Sequence, residues 1–183
     1  MSIEIHIEKL TQSQMANVVA GVTRNKQVNM SLKTLYKSEH SPIYTQLFVV
    51  LMRNIPIFSS THFARHKVGV EHYVQSCRED RTNANKDVNR NTLVDHVMVI
   101  NAQSLINMAR KRLCYKASKK TRQIMEQIVD KMYYYDPDLW KFLVPNCVYR
   151  NGLCSEPVPC GNLKQNLENF KGYFEDFTVI SED

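Results

Sequence analysis

The chain has 183 residues, of which 43% are hydrophobic and 23% are charged, as is typical of one globular domain. No apolar run approaches the ~18 residues that a membrane span needs, and the first residues lack the pattern of a signal peptide. We therefore expect a cytoplasmic protein without membrane contact, in which the five cysteines are thiols or metal ligands.

Positive charge is concentrated in the middle of the chain, although the net charge of the whole is only +6. Residues 61–122 carry thirteen Lys and Arg against five Asp and Glu, whereas residues 123–183 carry five against ten. This imbalance indicates an anionic partner, either a phosphate-bearing small molecule or a nucleic acid, and a solvated basic face is the alternative. The glycine-rich patterns GxGxxG and GxxxxGK[ST] are absent, which disfavours a Rossmann or P-loop nucleotide site.

The hydrophobic pattern predicts three strands. Residues 3–9 alternate apolar and polar side chains, residues 44–53 are rich in β-branched and aromatic residues, and residues 94–100 form a third apolar run. Helical periodicity or capping signals predict helices near residues 32–36, 57–63, 102–113, 121–132 and 137–143.

These elements predict an α+β fold with a single mixed α/β domain over residues 1–144. A C-terminal appendage with three cysteines follows over residues 145–183, loop-like at first and helical from Leu163. The polar, Asn-rich residues 79–91 are predicted to form a loop.

Three groups of residues could carry chemistry. Histidines and cations are dense between Arg65 and Arg81, where Arg side chains suit phosphate and His66 and His72 suit proton transfer. The helix that begins at Asn101 presents amides that can recognise the edge of a flat ring. A basic surface loop and a solvated helix face are the respective alternatives.

The third group is Cys147, Cys154 and Cys160, spaced C-x6-C-x5-C. This spacing differs from the paired C-x2-C knuckles of zinc ribbons. The three thiols could hold a metal with Glu156 or a partner residue as fourth ligand, and three structural thiols are the alternative.

Residues 56–67 and 101–113 resemble the flavin-dependent thymidylate synthase family. Arg65-His66-Lys67 stands where that family has Arg-His-Arg, and Asn101-Ala102-Gln103-Ser104-Leu105 stands where it has Asn-Ala-Arg-Ser-Leu. Ser76-Cys77-Arg78 matches the family's Ser-Gly-Arg after a one-residue insertion.

The resemblance implies a mixed α/β domain that forms a homotetramer and binds FAD at subunit interfaces. The implied reaction reduces FAD with NADPH, takes a one-carbon unit from methylenetetrahydrofolate and methylates dUMP. A divergent chain could act on a related pyrimidine nucleotide monophosphate.

Family positions also imply roles for individual residues. The implied flavin-binding residues are Ser41, Arg65, His66, Lys67, Asn101, Gln103 and Asn107. The implied substrate-binding residues are His62, Ser76, Arg78 and Arg112. Ser76, Glu71 and His72 are the predicted catalytic residues, in the segment that departs most from the family pattern.

A non-catalytic protein that retains the scaffold is the rival hypothesis, binding either nucleic acid or another protein. Nucleic acid is not expected, because Tyr73 is the only aromatic residue between Arg65 and Arg81 and stacking platforms need more.

Overall fold

The computed structural model describes residues 2–78, 80 and 88–176. Those residues form four strands: β1 (Glu4–Lys9), β2 (Leu47–Pro56), β3 (Val70–Val74) and β4 (Leu93–Asn101). They also form eight α-helices: α1 (Gln14–Arg24), α2 (Leu32–Ser38), α3 (Ile57–Ala64), α4 (Ala102–Arg112), α5 (Lys119–Tyr135), α6 (Pro137–Trp140), α7 (Asn146–Tyr149) and α8 (Leu163–Asn169). Two 3₁₀ helices span Ser41–Thr45 and Lys171–Asp176. The predicted mixed α/β class is confirmed.

The four strands form one antiparallel sheet in the order β1-β2-β4-β3. Burial alternates along each central strand: Phe48, Val50 and Met52 of β2 are fully buried, while the residues between them are half-buried. Because successive side chains point to opposite faces, one face of the sheet forms the floor of the hydrophobic core.

Helices α4 and α5 supply much of the helical part of that core. Leu105 and Ile106 of α4 and Ile124 and Ile128 of α5 are fully buried. The predicted cap of α4 is confirmed, because the Asn101 side chain accepts a hydrogen bond from the Ser104 backbone N–H.

The central strand lies further along the chain than predicted. It ends at Pro56 because, after a bulge, Ile55 and Pro56 still pair with β4. The bulge is marked by Asn54, which has a φ of +56° and donates its backbone N–H to Asp95 at 3.1 Å. Residues 44 and 45 belong instead to the preceding 3₁₀ helix.

Strand β3 and helix α1 are among the elements that were not predicted. Strand β3 is a short edge strand of five residues, and three of its side chains are exposed. Helix α1 buries only Ala16 and Ala20, whose small side chains give a weak hydrophobic signal. The predicted loop at residues 79–91 lies mostly outside the described residues.

The segment after residue 144 packs against the core at two points. Val148 of α7 and Tyr173 are buried in the core cluster, and α8 begins at the predicted residue, Leu163. The expectation of a loop was therefore wrong for α7, whereas the domain boundary at residue 145 stays a prediction. Within the described ranges, no helix combines the length and the apolar character needed to cross a bilayer.

Candidate functional site

The basic turn, residues 65–69, and the first turn of α4 form one continuous surface. The Asn101 backbone N–H donates to the Gly69 carbonyl at 3.0 Å, and the Ser104 hydroxyl donates to the Val68 carbonyl at 2.6 Å. Gly69 has a φ of +66°, and a Cβ there would lie 2.2 Å from the Asn101 amide nitrogen. Only glycine permits this close approach of the turn to α4. The fold thereby joins the two segments that carry the family resemblance.

His66 lies half-buried in the basic turn. Its Nε2 accepts a hydrogen bond from Arg112 Nε at 3.1 Å, so the ring proton is on Nδ1. Burial, followed by the Arg112 charge, lowers the pKa of His66 to about 4. His66 is therefore a neutral imidazole at pH 7 whose Nδ1–H is a donor, between the exposed cations Arg65 and Lys67.

Arg112 links this turn to α3 and α5. Its guanidinium also donates to the backbone carbonyl of His62, and His62 Nδ1 lies 2.9 Å from the Thr121 hydroxyl. Burial and then the Arg112 and Arg65 charges lower the pKa of His62, and burial and then Arg65 lower the pKa of Arg112. Arg65 and Arg112 therefore repel each other, and this positive potential favours the binding of an anion.

A chain of buried and partly buried hydrogen bonds runs beneath the basic turn. Ser60 Oγ lies 3.0 Å from His96 Nδ1, and His96 Nε2 lies 2.9 Å from His72 Nδ1. His72 Nε2 then donates to the His66 carbonyl at 2.6 Å.

Two features of these hydrogen bonds follow from the chemistry of the groups. Burial, followed by the His72 charge, lowers the pKa of His96 to about 4, so this ring is neutral at pH 7. The His66 carbonyl can only accept, so His72 Nε2 carries the proton of that bond. His72, a predicted catalytic residue, is thus the contact that fixes the backbone of the basic turn.

The amides of α4 contact an acidic residue that the sequence did not single out. Gln103 Nε2 donates to Glu39 at 2.7 Å, and Arg110 forms a bidentate ion pair with the same carboxylate. Asn107 is exposed and accepts a hydrogen bond from Arg110 at 3.2 Å. The Gln103 side-chain oxygen is buried and has no hydrogen-bond partner within the described part of the chain.

Ser41 and Glu71 lie in different settings. Ser41 is exposed at the start of a 3₁₀ helix whose far end is joined to α4 by a hydrogen bond from the Ala102 N–H to the Gln46 carbonyl. Glu71 is exposed on β3 next to His72, and adjacent strand residues point to opposite faces. The structure therefore does not bring the predicted catalytic pair Glu71 and His72 to one site.

Ser76 and Arg78 follow β3, beyond the end that lies away from the basic turn. Just before them, the Gln75 backbone N–H donates to the Asp95 carbonyl, near the start of β4. The Ser76 hydroxyl accepts the Arg78 backbone N–H at 3.3 Å. Arg78 is exposed and forms a bidentate pair with Asp80 at 2.6 and 3.0 Å. Arg78 is thus paired with Asp80, whereas Arg112 is bonded to His66 and to the His62 carbonyl.

The three predicted metal ligands lie around one cavity of about 250 Å³. Cys147, Cys154 and Cys160 line it together with Cys114, which follows α4. Among the residues that the structure describes, no three His, Cys, Asp or Glu side chains are set closely enough to hold a metal ion. The cysteines are free thiols in this structure.

Sequence reasoning missed Glu39, Ser60 and His96 as members of this site. His96 carried a usable signal, because it occupies a buried position of β4 between Val94 and Met98. A histidine on the buried face of a strand needs a hydrogen-bond partner. Glu39 carried no comparable signal, since only the tertiary fold brings it to α4.

Comparisons with known proteins bear on the fold. The sequence matches no protein-family model and no curated protein. The structure is similar to a UMP/dUMP methylase, PolB from Streptomyces cacaoi, bound with 5-Br dUMP: the TM-score is 0.56 at 14% identity, over 76% of this chain and 94% of that chain.

It is also similar to Thymidylate Synthase X (ThyX) from Helicobacter pylori, whose structure contains FAD and dUMP. The TM-score is 0.58 at 12% identity, over 75% of this chain and 99% of that chain. At such identities the similarity shows a shared fold, and the fold expected from the resemblance is confirmed.

Proposed function

We propose that this protein is a flavin-dependent methyltransferase that acts on a pyrimidine nucleotide monophosphate, dUMP or a close relative. FAD is its cofactor, and NADPH and methylenetetrahydrofolate are its co-substrates. One observation carries the proposal: the basic turn and the amide-bearing start of α4 form a single surface within a fold that ThyX and PolB share.

The residues of this surface fit a flavin dinucleotide. Arg65 and Lys67 are exposed cations suited to a pyrophosphate, and His66 offers a neutral N–H donor. The buried oxygen of Gln103 suits a ring N–H, because an unpaired buried acceptor costs about 1–3 kcal/mol. When bound, the flavin supplies hydride transfer, while these side chains bind and orient it.

Arg112 is the best-placed residue for the phosphate of the nucleotide. It donates to a neutral imidazole and to a carbonyl, so neither of these contacts neutralises its charge. Its guanidinium can therefore form a charge-assisted pair with a phosphate beside His62.

Ser76 and Arg78 would contribute after a rearrangement of the segment that follows β3. In this structure the Arg78 guanidinium is paired with Asp80, and the competing phosphate would have to displace that carboxylate. The catalytic roles of Ser76 and Glu71 stay predictions. His72 acts on the site through the backbone of the basic turn.

A second copy of the chain would complete the flavin site. Arg65, Lys67 and Asn107 are exposed, and so is Val68, which leaves 88% of its surface to solvent. A dinucleotide on this open surface needs a facing wall, and ligand sites concentrate at interfaces. We therefore propose a homo-oligomer, a tetramer by resemblance, working in the cytoplasm.

The test is reconstitution with FAD, followed by titration with dUMP. We expect the purified chain to retain FAD through gel filtration and its flavin spectrum to change when dUMP is added. Arg65→Ala with Lys67→Ala should weaken FAD binding about tenfold or more, since each charged contact contributes about 1.5–3 kcal/mol. Arg53→Ala, an exposed cation on β2, is the matched control and should leave FAD binding unchanged.

One result would argue against this function, and a second would argue only against the site shared between copies. A chain that binds neither FAD nor dUMP, but binds single-stranded nucleic acid with strong salt dependence, would favour a non-catalytic protein on the same scaffold. A chain that binds FAD as a monomer would contradict the shared site alone.

A further inference from the structure

Four of the five cysteines of the chain converge on one cavity. Cys114 approaches it from the end of α4, and Cys147 approaches it from α7. Cys154 and Cys160 come from the irregular segment between α7 and α8. Three of these cysteines lie in one stretch of sequence, and the tertiary fold brings Cys114 to them.

Polar groups face the sulfur atoms around the cavity. The Lys116 backbone N–H donates to Cys114 Sγ at 3.5 Å, and the Asn166 side-chain amide donates to Cys147 Sγ at 3.4 Å. Arg110 and Lys111 also line the cavity. Hydrogen bonds to ligand atoms and nearby cations are the features that surround thiolate ligands of a metal.

The segment between α7 and α8 has little apolar burial of its own. Leu153 and Val158 are 66% and 67% exposed, and Cys154 is exposed as well. Short segments that bury little apolar surface are commonly ordered by a disulfide or a structural metal. A cross-link at the cavity would tie this segment to α4 and α7.

We propose that Cys114, Cys147, Cys154 and Cys160 bind one structural Zn²⁺. Four thiolates in tetrahedral geometry are a zinc ligand set, with Zn–S bonds of about 2.3 Å. As described, the thiols surround the cavity without reaching ligand distance, so the loop with Cys154 and Cys160 closes toward Cys114 on binding. Each thiol releases its proton to solvent as it coordinates the metal.

This ligand set extends the one that the sequence suggested. The spacing of Cys147, Cys154 and Cys160 left the fourth ligand open between Glu156 and a partner residue. The cavity assigns that position to Cys114 instead. Disulfides are the chemical alternative, and they rarely persist in the reducing compartment proposed above.

The test is the metal content of the full-length chain, purified without chelators and measured by plasma mass spectrometry. We expect close to one zinc per chain, and a loss of most of that zinc in Cys114→Ser and in Cys154→Ser. Cys77→Ser is the matched control, because Cys77 packs against the core outside the cavity and its variant should keep the zinc.

A second measurement covers the case in which a ligand variant fails to fold. Zinc is removed from the wild-type chain with a chelator under reducing conditions, and Co²⁺ is titrated in its place. One equivalent should produce the strong thiolate-to-cobalt absorption of a four-sulfur site, and proteolysis between α7 and α8 should slow.

Three results would overturn the proposal. They are a wild-type chain without zinc that also binds no Co²⁺ when reduced, an intact mass that shows disulfides between these cysteines, or a Cys114→Ser variant that keeps a full equivalent of zinc. All of these readouts are independent of flavin binding and activity, so they also separate this proposal from the proposed function.

Discussion

The two halves of the candidate site are built in different ways. The basic turn is fixed by partly buried hydrogen bonds from Ser104 of α4 and from His72. The segment with Ser76 and Arg78 is exposed, and it is stabilised here by a bidentate pair between Arg78 and Asp80. Buried hydrogen bonds define one geometry, whereas exposed ion pairs contribute about 0–1 kcal/mol and exchange easily.

This difference suggests an order of events in ligand binding. The proposed flavin half is already assembled in the free chain, so a cofactor could bind there with little rearrangement. The proposed nucleotide half has Arg112 in place, whereas a phosphate at Arg78 would have to compete with Asp80. The following predictions test whether one half is rigid and the other adjustable.

The largest effect is expected from Gly69→Ala. The added Cβ would lie 2.2 Å from the Asn101 amide nitrogen and 2.4 Å from Ser104 Oγ, at a φ of +66°. Overpacking and the left-handed backbone together should lower the free energy of unfolding by about 3 kcal/mol, measured by urea denaturation. Gly161→Ala is the control: its φ is +80° with nothing within 4 Å, so only the backbone cost of about 1 kcal/mol applies. Equal losses would show that the turn is not tightly packed on α4.

The next effect is a loss of stability in acid. The pKa of His66 and of His96 is about 4 in the folded chain, below the ordinary value near 6.5. Between those values the unfolded chain binds more protons, so the free energy of unfolding falls as pH falls from about 6.5 to 4. We expect a loss of about 2 kcal/mol between pH 7 and pH 4.5, a value reduced because His66 is partly exposed.

Urea unfolding at both pH values measures this loss. His96→Gln removes one of the two groups and should flatten the pH dependence, while His6→Gln, on an exposed position of β1, should leave it unchanged. A wild-type stability that is constant between these pH values would contradict the lowered pKa of His66 and His96.

The regular elements were largely predictable from the sequence. The alternation in β1, the apolar run of β4 and the apolar stripe of α5 are strong local patterns, and they gave the correct element type. The weak elements were missed for physical reasons: α1 buries only alanines, and β3 gains its partner only from β4. The hydrophobic periodicity of the sequence therefore gives little indication of either α1 or β3.

The site was predictable in its residues but not in its connections. The family pattern selected Arg65, His66 and Arg112, and the fold brings two of them into contact. It could not foresee that His72 bonds the turn backbone, because that contact depends on how β3 follows the turn. It also could not foresee that Glu39 accepts a hydrogen bond from the Gln103 amide, because that contact joins segments far apart in the sequence.

A smaller loss of stability is expected from Arg112→Lys. The guanidinium donates to both His66 Nε2 and the His62 carbonyl, and an ammonium on a flexible stem cannot keep both contacts. We expect a loss of about 1–2 kcal/mol in the free energy of unfolding, and dUMP affinity at least tenfold weaker. Arg150→Lys, an exposed position after α7, should change neither quantity. Wild-type dUMP affinity in Arg112→Lys would remove this residue from the proposed phosphate site.

The smallest effect on stability is expected at Arg78, and it separates the two halves most directly. Because its pair with Asp80 is exposed, Arg78→Ala should change the free energy of unfolding by no more than about 0.5 kcal/mol. If Arg78 nevertheless contributes to phosphate binding, dUMP affinity should fall with little change in FAD affinity. Asp80→Asn is the converse test, because it removes the competing carboxylate and should tighten dUMP binding a few-fold. Isothermal titration of both variants measures this, and weaker dUMP binding in Asp80→Asn would mean that Asp80 supports the site instead of competing for Arg78.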